Sequence, residues 1–249
     1  MKSIKLRSFI LDFFFDPEGN IFAHTMLRDE KGSKRAVVKI DSEGKTVENI
    51  AEYPDVGPVI RKNGDVTYAF GGAHEYNFEL CFTPLNEEAF CYAHSSEYHV
   101  MILDCSGNLL LKFQKEESSQ AISSKEKNFM LERARKRQKE RGRSWPKGVL
   151  EEAYQFPSYR PFFNKIISDD KHRLYVKRLK SVLDKNRRKE FEFDIFCKDG
   201  YYLYKTKLPF IPRIIKNGFI YDVKIYEDTG EIKIIKYKVK NWDKIKDGI

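Results

Sequence analysis

Short apolar runs alternate with compact polar turns along almost the whole chain. The turns share one form, in which Asp or Asn is followed within three residues by Gly, as at residues 16–19, 41–44, 104–107 and 217–218. Glycine accepts the positive φ that a tight turn requires, and Asp or Asn tolerates it or bonds the local backbone. Such turns between short apolar segments, repeated many times, predict an all-β repeat protein.

The spacing of these segments predicts propeller blades. Strands are expected at 7–15, 21–27, 35–40 and 45–50, and four antiparallel strands in about 45 residues is the size of one blade. Further blades are predicted over 78–113, 162–208 and 213–239, with an irregular unit at 59–70. We therefore predict a β-propeller of four-stranded antiparallel blades, about four in number, that forms one domain over residues 1–249.

One segment, residues 118–157, interrupts the β pattern. Ser123 and Glu126 have the spacing of a capping box, in which each side chain bonds the backbone of the other residue. The following residues contain neither Pro nor Gly until Gly142, which ends the predicted helix. Its apolar residues lie in the first half, so we expect that half to pack on a blade and the second half to face water or a partner. A second short helix is expected near residues 149–154.

Composition adds that the chain is globular and that its charge is uneven. Hydrophobic residues make up 41% and charged residues 33% of the 249 residues, and no apolar run reaches the roughly 20 residues of a membrane helix. The formal net charge is +9, yet residues 125–143 carry +6 and residues 171–190 carry +7, which leaves −4 for the rest. The basic character therefore belongs to two local segments and not to the β framework.

The N-terminal residues resemble a secretory signal only at first sight. Residues 1–7 are basic and residues 9–15 are mostly apolar. However, Asp12 interrupts the apolar run, no small-residue cleavage site follows, and a turn begins at residue 16. We interpret this segment as a strand.

The predicted helix carries most of one basic segment and is the first candidate binding surface. Its candidate residues are Arg133, Arg135, Lys136, Arg137, Lys139, Arg141 and Arg143. They could contact an anionic surface or an acidic partner, or they could simply be a solvated face of an insertion. Nucleic acid is not favoured as the partner, because no aromatic residues alternate with the charges to stack on bases. The second basic run, residues 185–189, is interpreted as a hairpin loop that would strengthen the surface if it lay on the same face.

Histidines and cysteines suggest little chemistry. His24 and His94 both follow Ala at the end of the second strand of a blade, which would bring them to the same rim of the ring. There they would be either residues kept by the blade repeat or an acid–base or metal pair. Cys81 and Cys91 are expected on neighbouring strands, where a bridge is conceivable, although buried free thiols are the simpler interpretation. No hydrolase, zinc-protease, P-loop or dinucleotide motif occurs. We therefore predict no catalytic residue, metal ligand or cofactor.

Several segments resemble one known family. They are residues 159–163, 166–170, 173–176, 193–196, 199–203 and 215–221, together with the Tyr-x-x-x-x-x-Asp-x-x-Gly spacing of residues 98–107. On these residues the chain resembles the bacterial six-bladed β-propellers related to NHL-repeat proteins. The resemblance implies a periplasmic or extracellular protein in many relatives, with two more N-terminal blades that this sequence lacks. It carries no catalytic motif, and an open ring would expose strand edges that could pair with another chain.

These observations leave three hypotheses for the function. The adopted one is a non-enzymatic propeller that binds an unknown protein or small ligand through its loops and the inserted basic helix. The alternative is a calcium-dependent hydrolase or lyase of the lactonase type, in which His24 and His94 would take part. The second alternative is an interaction of the basic helix with an anionic surface or nucleic acid. Fold alone does not choose among them, because propellers support many activities.

Overall fold

The computed structural model describes residues 9–29, 32–55, 59–63, 66–70, 74–142, 148–226, 228–240, 242 and 245. The strands form successive antiparallel sheets, in which each strand pairs with the next one along the chain. This is the blade arrangement that the sequence predicts, and the molecule is an all-β propeller with a helical insertion.

The strands of the described residues group into four blades and one extra hairpin. The first blade contains β1 (Phe9–Phe15), β2 (Ile21–Asp29), β3 (Gly32–Ile40) and β4 (Thr46–Pro54), and the hairpin β5 (Val59–Asn63) and β6 (Val66–Phe70) follows it. The second blade contains β7 (Leu80–Pro84), β8 (Ala89–His94), β9 (His99–Asp104) and β10 (Leu109–Gln114). The third contains β11 (Phe163–Ser168), β12 (Leu174–Arg178), β13 (Phe191–Phe196) and β14 (Tyr202–Leu208). The last contains three strands among the described residues, β15 (Ile214–Lys216), β16 (Phe219–Tyr226) and β17 (Glu231–Lys238).

The first strand of each blade lies innermost. Strand β1 lies beside β7, β7 beside β11, and β11 beside β15, and Asp169 and Ile215 form a parallel bridge between the last two blades. The outer strands β10 and β14 are half-buried or exposed along their length. Successive blades therefore turn about a common axis, with the order of strands in each blade running from the axis outward.

The hydrophobic core lies between blades. Because side chains alternate between the two faces of a strand, each blade can pack against a neighbour on both sides. Typical members are Phe22 and Phe90 between the first and second blades, Val100 and Phe163 between the second and third, and Phe193 and Ile215 between the third and the last. Repetition of one packing mode explains why the blades resemble one another in sequence.

Tight turns join the strands as expected from their composition. In the turn after β9, Asp104 Oδ1 accepts hydrogen bonds from the backbone N–H groups of Ser106 and Asn108, both at 2.8 Å. The matching turn after β13 requires glycine for a second reason. Gly200 has a φ of +81°, and a Cβ there would lie 2.8 Å from the ring of Phe113. Glycine thus allows both the turn conformation and the close approach of the neighbouring blade.

The insertion contains two helices, α1 (Ser124–Glu140) and α2 (Val149–Ala153), between β10 and β11. Glu126, Met130, Leu131 and Ala134 are the buried residues of α1. The first half therefore packs against the protein and the second half is exposed, as predicted. No helix of the described residues is long and apolar enough to cross a membrane. All four cysteines are free thiols, so Cys81 and Cys91 do not form the bridge that was conceivable from their spacing.

Candidate anion-binding cavity

The N-terminus of α1 is fixed to the third blade by one buried carboxylate. Glu126 closes the predicted capping box with Ser123 and also accepts hydrogen bonds from Tyr76 Oη at 2.5 Å and Ser181 Oγ at 2.6 Å. Tyr76 Oη in turn accepts a hydrogen bond from the backbone N–H of Val182 at 2.7 Å. Burial opposes ionisation of Glu126, but the hydrogen bonds from Ser181, Tyr76 and Ser123 lower its pKa to about 2. The carboxylate therefore ties α1 to the segment that follows β12.

This attachment brings the two basic segments of the sequence together at one cavity. The cavity has a volume of about 430 Å³ and opens to solvent between α1, α2 and the third blade. Seven basic and three acidic side chains line it. The basic ones are Arg133, Arg137, Lys177, Arg178, Lys180, Arg187 and Arg188, and the acidic ones are Glu75, Glu79 and Glu190. The cavity is within the size range of small-molecule sites and carries excess positive charge.

A single carboxylate bonds two of these guanidinium groups and lies near a third. Arg133 Nη1 donates to Glu75 Oε1 at 2.8 Å, Arg187 bonds both Glu75 oxygens, and Arg188 Nη2 lies 3.9 Å from Oε1. Burial opposes ionisation of Glu75, but the bonds from Arg187 and Arg133 lower its pKa. One negative charge cannot neutralise three positive ones, so this wall keeps a net positive charge that favours an anion.

A buried network fixes a fourth arginine at the inner end of the cavity. Arg178 forms an ion pair with Glu117 and donates to Asp194 Oδ2 at 2.9 Å. Asp194 is fully buried and also accepts from Tyr98 Oη at 2.8 Å and Lys115 Nζ at 2.7 Å. The hydrogen bonds that Arg178 donates to Glu117 are the main reason why the pKa of Arg178 is raised. Arg178 is therefore charged and held in one orientation.

A further part of the lining, the aromatic wall, contains His74 and Tyr154. His74 stacks on Tyr154 at 5.6 Å and on Phe156 at 4.8 Å between ring centroids. His74 Nδ1 accepts a hydrogen bond from the backbone N–H of Tyr76 at 3.1 Å, which leaves Nε2 to donate to Gln155 O at 3.3 Å. Burial lowers the pKa of His74. The imidazole is thus neutral at pH 7 and contributes a flat surface without charge.

The structure separates the seven basic residues predicted on α1 into groups. Arg133 and Arg137, one turn apart, line the cavity. Arg135 forms an ion pair with Glu151 of α2, and Lys136 lies 4.0 Å from Glu140. Lys139 and Arg141 are exposed and do not line the cavity, and Arg143 lies outside the described residues. The helix therefore presents one short basic face to the cavity, while its other charges face water or α2.

The two histidines predicted at a rim have different surroundings. His24 lines a separate cavity of about 280 Å³ near the propeller axis, and burial is the main reason why its pKa is lowered to about 4. His94 stacks on Tyr53 at 4.2 Å between ring centroids and bonds Ser96 Oγ at 2.7 Å. Among the described residues, no group of three or more His, Cys, Asp or Glu side chains is arranged to hold a metal ion.

Sequence reasoning missed most of the cavity. It considered Arg133 and Arg137 on the helix and Arg187 and Arg188 in the second basic run, but not His74, Glu75, Tyr154 or Arg178. These residues come from parts of the chain that are far apart in sequence and share no spacing. The sequence signal that pointed to the cavity was the excess positive charge of residues 171–190, together with the suggestion that the two basic segments could lie on one face.

Comparisons with known proteins add little to this geometry. No protein-family model matches the chain, and no curated protein matches it. A similar solved structure is the 1.18 Å crystal structure of an uncharacterized protein from Listeria monocytogenes, with 12% sequence identity and a TM-score of 0.29. The alignment covers 92% of this chain and 66% of that protein. The relation to six-bladed NHL-type propellers therefore stays a prediction from the sequence.

Proposed function

We propose that this protein is a non-enzymatic propeller that binds an anionic ligand in the cavity between α1 and the third blade. The observation that carries the proposal is the convergence of seven basic side chains on a cavity with only three acidic ones. Three of the basic residues, Arg133, Arg178 and Arg187, are held by ion pairs with carboxylates. Such preorganised cations lose little side-chain entropy when an anion binds.

The shape of the cavity favours a small ligand or a single anionic group over an extended acidic surface. A solvated helix would spread its charge around its circumference, whereas Arg133 and Arg137 line one cavity together with Arg187 and Arg188. Arginine is also the side chain best suited to planar, bidentate recognition of phosphate and carboxylate groups. We propose a multiply charged anion as the ligand, because several guanidinium groups face one space.

Isothermal titration with inorganic tripolyphosphate tests this proposal. Arg137→Gln removes a cation at the cavity, and Arg141→Gln removes the same charge from the same helix outside it. We expect Arg137→Gln to weaken binding about tenfold, as for loss of one charged hydrogen bond, and Arg141→Gln to leave affinity nearly unchanged. Affinity should also fall as salt rises, since the cavity is open to solvent.

The comparison of the two variants decides between a site and a diffuse charge effect. Equal losses in both variants would show that tripolyphosphate follows the overall charge of the helix and not the cavity. The absence of any binding at 50 mM salt to the unaltered protein would refute the proposed function.

A further inference from the structure

The cavity has an apolar side that a simple anion would leave unused. Tyr154, Met130 and Phe191 line it together with the arginines, and His74 extends the surface of Tyr154 by stacking on it. An inorganic anion gains nothing from these groups, because their contribution comes from contact with apolar or aromatic surface. The lining of the cavity therefore combines cationic groups with apolar and aromatic surface.

We propose that the ligand carries a flat aromatic ring as well as its negative groups, with the ring against Tyr154 and the negative groups near Arg137 and Arg188. This inference rests on the proposed function and makes the ligand class narrower. A phosphorylated or otherwise multiply anionic ring compound, of which a nucleoside triphosphate is one example, has the required chemistry.

The arrangement of the aromatic wall supports this assignment. Tyr154 follows α2, whose residue Glu151 pairs with Arg135 of α1, so the ring belongs to the same insertion as the cavity arginines. Tyr154 also packs on Phe156 at 5.8 Å, and His74 is held by Phe156 at 4.8 Å and by hydrogen bonds at both ring nitrogens. A ring held in such a cluster is ordered before a ligand arrives, which lowers the entropic cost of stacking.

The positions of the cations complete the argument. Arg137 extends from the exposed half of α1, one turn beyond Arg133, and Arg188 is 71% exposed. Both are accessible at the opening, whereas Arg133 and Arg187 are largely covered and engaged by Glu75. The accessible cations and the aromatic wall thus face the same space from different elements.

Titration calorimetry with three ligands tests the inference: adenosine triphosphate, inorganic tripolyphosphate and adenosine, all without metal ions at pH 7.5. We expect the nucleotide to bind about tenfold more tightly than tripolyphosphate, because the stacking of one base adds binding free energy of that order. Tyr154→Leu should abolish that difference, and a chemical-denaturation curve that matches that of the unaltered protein shows that the variant is folded. Tyr154→Phe keeps the ring and should keep the difference. The matched control is Tyr201→Leu, at a residue that is 64% exposed in the turn before β14 and does not line the cavity.

The outcomes separate this inference from the proposed function. If the nucleotide and tripolyphosphate bind equally and both depend on Arg137, the ring assignment is wrong and the anion site stands. If neither binds, both are wrong. If a twelve-residue deoxythymidine oligonucleotide binds more tightly than the nucleotide in a Tyr154-dependent manner, the cavity is part of a single-stranded nucleic-acid surface and the small-ligand assignment is overturned.

Discussion

Two neighbouring interfaces between blades differ in what accompanies their apolar cores. The first and second blades meet through packed phenylalanines, in which Phe22 lies 5.3 Å from Phe14 and 5.0 Å from Phe90 between ring centroids. The second and third blades share an apolar core and also meet around the buried carboxylate of Asp194, which pairs with Lys115 and Arg178. The first interface only joins blades. The second also positions Arg178 at the cavity, so the polar interface links the fold to the proposed site.

The free energy that stabilises the two interfaces has different sources. Aromatic packing gains from area buried and from ring geometry, and it requires no charged partner. A buried ion pair recovers little beyond the cost of removing its charges from water, but loss of one partner leaves the other charge buried and unpaired. The comparison therefore predicts large effects at both interfaces, with ligand binding affected only at the second.

The largest effect is expected at the aromatic interface. Phe22→Ala removes a ring that is fully buried and should lower the free energy of unfolding by about 3–5 kcal/mol, the usual range for a buried Phe. Tripolyphosphate affinity, measured well below the melting temperature, should stay unchanged because no cavity residue contacts this ring. A chemical-denaturation curve measures the first quantity, and a loss below 1 kcal/mol would mean that the blades are held together elsewhere.

The second effect breaks the polar interface. Asp194→Asn removes the charge that Lys115 and Arg178 share and should cost about 2–3 kcal/mol, as for hydrogen bonds to a charged group. Unlike Phe22→Ala, it should also weaken tripolyphosphate binding, because Arg178 loses one of its two carboxylate partners. Unchanged affinity in Asp194→Asn would show that Glu117 alone fixes Arg178.

A smaller loss of stability is expected when only the hydrogen bond from Tyr98 to Asp194 is removed and the ion pairs of Asp194 are kept. Tyr98→Phe removes the hydroxyl that donates to Asp194 at 2.8 Å and keeps the ring in its contacts with Phe163 and Phe196. We expect a loss of about 1 kcal/mol with no change in ligand affinity, since the pairs of Asp194 with Arg178 and Lys115 remain. A loss as large as that of Asp194→Asn would indicate that the hydroxyl, and not the cations, is the main partner of the carboxylate.

The two interfaces also show how far sequence reasoning extends. Strands, turns and the two helices follow from local patterns: alternation, Asp–Gly turns and the Ser123–Glu126 capping box. The aromatic interface is what Phe-rich strands are expected to form when blades pack face to face. The polar interface is different, because Tyr98 and Asp194 are 96 residues apart and no local pattern relates them. The same holds for the cavity, where Glu75 meets Arg187 across 112 residues; only packing of blades against the insertion brings them together.

The last and smallest effect is the pH dependence of stability, which should differ between the two interfaces. Burial opposes ionisation of Asp194, but the hydrogen bonds from Lys115, Arg178 and Tyr98 lower its pKa below the ordinary value of 3.8. A carboxylate with a lowered pKa in the folded state contributes stability that is present above the unfolded pKa and is lost as pH falls through the folded value. The stability difference between the unaltered protein and Asp194→Asn should therefore be largest at pH 6–7 and shrink as pH falls below about 4. The difference for Phe22→Ala should stay constant over the same range, because no proton binds at that site. Denaturant titrations at pH 7 and pH 3.5 measure both, and a constant difference for Asp194→Asn would mean that its carboxyl group does not carry the charge on which the polar interface depends.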